Sequence, residues 1–127
     1  MRSLRSDLGR ARGLGSAKEG AGHWWAQRVT AAALVPLTLW FVASVISLAG
    51  ADLAAVRAWV ANPVSAVLLI VLIGATFHHA QLGVQVVIED YVHTEWAKVA
   101  GIFLVKFAAV LLAAIAGFSV LKIAFTG

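Results

Sequence analysis

Three long apolar runs, separated by short polar stretches, set the pattern of this chain. Val29 to Ala51 is 23 residues with no Asp, Glu, Lys, Arg or His. Val64 to Ile88 is 25 residues whose only ionisable members are His78 and His79. Val99 to Phe125 is 27 residues interrupted by Lys106 and Lys122. About 20 apolar residues cross the roughly 30 Å hydrocarbon core as a helix, so each run is long enough to span a bilayer. The pattern predicts an all-α integral membrane bundle of three transmembrane helices, about 29–51, 64–88 and 99–125.

Polar and aromatic residues punctuate the runs. Trp24 and Trp25 precede the first, where amphipathic rings settle at a membrane interface. Pro36 lies inside it, and a membrane helix tolerates a proline at the cost of a kink. Residues 52–63 read as a first loop carrying Asp52, Arg57 and Trp59. Its closing Asn62-Pro63 pair is a turn and helix-start signal. Residues 89–98 read as a second loop with Trp96 as an interface anchor. Lys106 and Lys122 suit snorkelling toward an interface. Residues 1–28 form a polar arm, loosely ordered through 22, and the whole chain, 1–127, makes one membrane-anchor domain.

Composition agrees with lipid as the solvent. Hydrophobic residues make up 61% and charged residues 13%, against about 25% charged in soluble domains. The charge of +4 is uneven. Arg2, Arg5, Arg10, Arg12, Lys18 and Arg28 precede the first span, opposed there only by Asp7 and Glu19. Beside a membrane span such an arm is a topology signal rather than a nucleic-acid site. It holds the N-terminus in the cytoplasm, with loop 89–98 on the same side. The arm is too long, and the run after it too long, for a cleaved signal peptide. With no cysteine, the chain brings no disulfide, thiolate metal site or iron–sulfur ligation.

Candidate chemistry concentrates at residues 77–93, F-H-H-A-Q-L-G-V-Q-V-V-I-E-D-Y-V-H. A histidine midway along a membrane helix is expensive. His79 suits axial ligation of a haem iron or an interhelical hydrogen bond, and the residues alone leave both open. Gly83 lies one turn on, on the same face, where a small residue lets a flat macrocycle approach the backbone. Asp90, 11 residues from His79, falls about 20° from that stripe and roughly 16 Å along the axis. His78 points about 100° away, so it serves packing or hydrogen bonding. Tyr91, the one tyrosine, is either a hydrogen-bond donor to a carbonyl oxygen or an interfacial anchor. His23 and Arg28 flank the first span at the same membrane face as Asp90 and Tyr91. An arginine there pairs with an anionic group such as a haem propionate or lipid phosphate, or simply anchors the span. Gln81 and Gln85, one turn apart, suit the lining of a partner helix.

H-W-W-A-Q-R-V-T at 23–30 and H-A-Q-L-G-V-Q-V-V-I-E-D-Y at 79–91 resemble the hydrophobic membrane-anchor subunit of succinate dehydrogenase (respiratory complex II), in its alphaproteobacterial form. The His, the Gly four later, and the Asp-Tyr eleven and twelve later carry the likeness, with three spans and a basic arm around them. The resemblance implies that His79 is this anchor's axial ligand to haem b, the other coming from the second anchor of the complex, the cytochrome b556 subunit. It implies that Tyr91 hydrogen-bonds ubiquinone, with Asp90 the acidic neighbour tied to proton delivery. It places Arg28 near the haem propionates, and His23 close to the family's upstream histidine, with a spacing that can differ by one residue. His78 and Glu89 stand outside the pattern.

The expected function is therefore anchoring a flavoprotein subunit and an iron–sulfur subunit to the bacterial cell inner membrane. With the cytochrome b556 anchor the chain would bind haem b and form the site where ubiquinone is reduced. Alone it would catalyse nothing. The alternatives are a cofactor-free structural or assembly subunit of another membrane complex, and the anchor of a fumarate reductase.

Overall fold

The computed structural model describes residues 18–126, so Arg2, Arg5, Arg10 and Arg12 of the basic arm lie outside the described residues. Among the described residues the chain is four helices: α1 (Lys18–Ser47), α2 (Leu53–Ala61), α3 (Pro63–Tyr91) and α4 (Glu95–Thr126). Three are long and apolar enough to cross a membrane, over Ala21–Ser47, Pro63–Tyr91 and Glu95–Thr126. The all-helical, three-span expectation is met.

The helices extend beyond the apolar runs that announced them. At 27, 29 and 32 residues they measure about 40–48 Å, more than the roughly 30 Å core. Their charged ends continue the helix past the hydrocarbon. α1 already begins at Lys18, so residues 18–22 are helix rather than loosely ordered, and it ends at Ser47 rather than Ala51. Pro36 is accommodated within it. Glu89, Asp90 and Tyr91 form the last turn of α3 rather than a loop, and only residues 92–94 separate α3 from α4.

The first loop is also a correction. Residues 53–61 are helical, with Asp52 as N-cap accepting the Ala55 backbone N–H at 2.8 Å. The preceding turn reverses the chain at Gly50, whose φ of 80° suits a residue without Cβ. Asn62 then caps α3, its side-chain oxygen accepting the Val64 and Ser65 N–H groups at 3.0 and 3.4 Å. Pro63 occupies the first position of that helix, where a missing N–H costs nothing. The Asn-Pro signal therefore starts α3 where the sequence placed it.

α3 is the middle of the molecule. It packs on α1 at one side and α4 at the other, and among the described residues no Cα of α1 comes within 8 Å of one of α4. The three spans form an open layer. A small core lies at the end away from the chain's start: Ala66, Leu69 and Val120, with Trp40, Trp59, Val60, Ile73 and Ala124 around them. α2 folds over that end, and Trp59 stacks on Trp40 with centroids 5.6 Å apart and planes 25° apart. Elsewhere large apolar side chains such as Leu39, Phe103, Phe107, Val110 and Phe118 are exposed. In a membrane those faces meet lipid or another protein rather than water.

Candidate functional site

Two adjacent histidines on α3 serve opposite neighbours. His79 faces α1, where its Nδ1 lies 3.0 Å from Oγ1 of Thr30. The same hydroxyl lies 2.7 Å from the Ala26 carbonyl oxygen and 3.1 Å from that of Gln27. His78 faces α4 instead. With Gly74, Phe77 and Gln81 it lines a cavity of about 360 Å³ whose other wall is Lys106, Ala109, Val110 and Ala113. The 100° step between consecutive helical residues divides the pair. His79 thus makes an interhelical hydrogen bond, as one of its two readings anticipated. That bond uses one ring nitrogen and leaves Nε2 for another partner.

One turn from His79 a Cβ built on Gly83 meets nothing within 4 Å, so the backbone there is open to a planar group, as it is at Gly74 and Gly117. Among the described residues no three His, Asp or Glu side chains gather around a point. What the chain offers a metal here is a single imidazole nitrogen, which suits one axial position of a haem rather than a self-contained ion site.

Asp90 and Tyr91 are exposed at the last turn of α3, and Tyr91 retains 76% of its accessible surface. They stand about 16–18 Å along the helix from His79. α1 runs antiparallel to α3 about the Thr30–His79 contact, so its N-terminal half lies toward that same end. By the helical rise His23 sits about 10 Å, and Arg28 about 3 Å, from the level of His79 toward Tyr91. Arg28 is therefore nearer the depth of His79 than that of Tyr91. Its guanidinium lies 4.6 Å from the ring centroid of Trp24, a cation–π contact that holds the charge beside α1. His23 is half-buried. Trp24 and Trp25 meet edge to face at 5.1 Å.

A polar ladder runs along the face of α3 that also carries His78. Gln81 donates from Nε2 to Oε1 of Gln85 at 2.9 Å, and Gln85 donates from Nε2 to Oε1 of Glu89 at 3.0 Å. The carboxylate of Glu89 only accepts, so it orients both amides the same way. Within α3 the two glutamines are thus linked to each other and to Glu89.

The family model for succinate dehydrogenase/fumarate reductase transmembrane subunits matches residues 2–113. This chain belongs to that family. A succinate dehydrogenase hydrophobic membrane anchor subunit of Rickettsia bellii is 35% identical over 89 residues, covering 70% of this chain and 71% of the relative. The protein of the same name from Paracoccus denitrificans is 35% identical over 104 residues, covering 82% and 81%. A succinate dehydrogenase membrane anchor subunit of Reclinomonas americana is 29% identical over 96 residues, covering 73% and 80%. No solved structure matches.

Within this family member, two features of the site are not legible in one dimension. Thr30 is the last residue of the H-W-W-A-Q-R-V-T segment, and its type assigns it no role, because a lone threonine in an apolar run usually bonds its own helix. Its partner is visible only once α1 lies beside α3. Lys106 suits snorkelling by its position in the third run. It also borders the cavity shared with His78 and Gln81.

Proposed function

We propose that this chain is the hydrophobic membrane anchor of a succinate dehydrogenase, set in the bacterial inner membrane with its N-terminus in the cytoplasm. It holds a flavoprotein subunit and an iron–sulfur subunit to the membrane. With the cytochrome b556 anchor it binds haem b and forms the ubiquinone-reduction site. Beyond family membership, one observation carries this reading. The exposed Asp90-Tyr91 pair ends the span that bears His79, at the end of the molecule where α1 begins. By the positive-inside argument that end faces the cytoplasm, where electrons from a soluble iron–sulfur protein arrive.

Ubiquinone takes up two electrons and two protons to become ubiquinol. Tyr91 donates a hydrogen bond from its phenol to one quinone carbonyl oxygen, orienting the ring and stabilising the negative charge that develops there on reduction. Asp90, beside it at the aqueous edge, passes protons to the reduced oxygen. His79 would hold haem b through Nε2, and Arg28 would pair with a propionate, with His23 nearby. When bound, haem b would supply a one-electron store. The family covers both directions of the reaction; which one runs is set by potentials across the whole complex.

Purification in mild detergent through a tag on this chain tests the reading. A flavoprotein, an iron–sulfur protein, a second anchor and a b-type reduced-minus-oxidised spectrum should accompany it. Other partners and no haem would reject it, and would leave a structural role. In that complex Tyr91→Phe should cut quinone reduction by about 10–100-fold. Electron transfer from succinate to a soluble artificial acceptor should be spared. Equal loss of both activities would indicate damaged assembly rather than a quinone contact.

A further inference from the structure

We propose that Thr30 is a positioning residue for the haem ligand, fixing both the tautomer and the ring orientation of His79 so that Nε2 carries the lone pair. The proposal rests on the reading of His79 as an axial ligand.

The hydroxyl of Thr30 has one proton and several neighbours. Ala26 and Gln27 present carbonyl oxygens at 2.7 and 3.1 Å, and a carbonyl oxygen only accepts. The shorter contact is the one to Ala26, the ordinary bond of a helical threonine to the preceding turn. With its proton committed there, Oγ1 faces His79 as an acceptor. The 3.0 Å contact then requires Nδ1 to carry the hydrogen and donate. A neutral imidazole protonated on Nδ1 bears its lone pair on Nε2, the form an iron ligand needs.

The relay runs from His79 Nδ1–H to Thr30 Oγ1 and from the Thr30 hydroxyl to the Ala26 carbonyl, linking the ring to the backbone of a second helix. Two hydrogen bonds in series polarise each other. They make the imidazole a more basic ligand and stop it from rotating about its side-chain torsions. Without the hydroxyl, the Nδ1–H of His79 loses the acceptor that Thr30 provides. The ring then adopts either tautomer or swings to find another partner.

The test uses the detergent-purified complex. Thr30→Val keeps the branched shape and removes the hydroxyl; Thr30→Ser keeps the hydroxyl and removes the methyl. Thr30→Ala gives the same information should the valine variant fail to assemble. In Thr30→Val, haem transfer to excess apomyoglobin should quicken by about 10-fold or more. The haem midpoint potential should rise, because a less basic imidazole stabilises ferric iron less. Thr30→Ser should restore both values. A change that only loosened packing would speed haem loss without moving the potential, and serine would not rescue it. A valine or alanine variant with the wild-type potential, or a serine variant as impaired as valine, overturns the proposal. His79→Ala separates this from the reading beneath it. If that variant retains the wild-type haem spectrum, ligation by His79 is itself wrong; if it loses the signal while Thr30→Val matches wild type, only the role of Thr30 falls.

Discussion

Replacing Gly83 with alanine should move two measurements in opposite directions. In the chain alone the new methyl enters open space, since a Cβ there meets nothing within 4 Å. Gly83 lies in the interior of α3, where glycine is worse than alanine by about 1 kcal/mol. Thermal unfolding of the chain in detergent should therefore show Gly83→Ala at least as stable as wild type. In the proposed complex the same methyl would meet the macrocycle that His79 would hold. Forcing an extra methyl into a packed contact costs about 1–3 kcal/mol. At about 1.4 kcal/mol per tenfold, haem retention should fall by about 5–150-fold, read as faster transfer to apomyoglobin and a lower haem-to-protein ratio. Gly74 supplies the control. It too has open space around its Cβ position, but nine residues earlier it lies on the opposite side of α3, beside the His78 cavity. Gly74→Ala should leave haem retention unchanged. Wild-type retention in Gly83→Ala would refute the assignment of this face to haem, and a destabilised chain would refute the open space itself.

Two further perturbations probe the scaffold. Trp59→Ala removes the ring stacked on Trp40 and should lower stability in detergent by at least about 0.5–1.5 kcal/mol, the worth of the stacked pair beyond its area burial, with Trp59→Phe recovering part of it; an unchanged unfolding midpoint would show that α2 is not held by this pair. Gln85→Leu breaks both bonds of the ladder and strands the amide of buried Gln81. At about 0.6 kcal/mol per intramembrane hydrogen bond the loss should be near 1 kcal/mol, and adding Gln81→Leu should restore some of it, whereas strictly additive losses would argue against coupling.

The spans are legible in the sequence because lipid demands long uncharged runs. Their ends are not, because hydropathy marks where the hydrocarbon stops, not where hydrogen bonding stops. Glu89, Asp90 and Tyr91 are too polar for the core and still complete the last turn of α3. α2 is hidden for a related reason: Arg57 and the short apolar stretch around it do not resemble a span. Its signal is local, with Asp52 ahead of the good helix formers Leu53, Ala54 and Ala55. At the site, the stripe of His79, Gly83 and Asp90 follows from helical periodicity alone. Which neighbour His79 meets depends on whether α1 or α4 lies on that side, a tertiary fact with no one-dimensional trace.

The open order of the layer explains why one span carries so much polarity. A helix at the edge would expose half its circumference to lipid, where each unpaired polar group is costly. α3 lies between α1 and α4, and its polar side chains divide among distinct surroundings. His79 binds Thr30 on α1. His78 borders Lys106 on α4. Gln81 and Gln85 satisfy each other and end on Glu89 at the aqueous edge. These pairings leave one exception that bears on function. The second nitrogen of His79 and the empty space beside Gly83 remain open on the same face. That shared face is the one the proposed haem site would use.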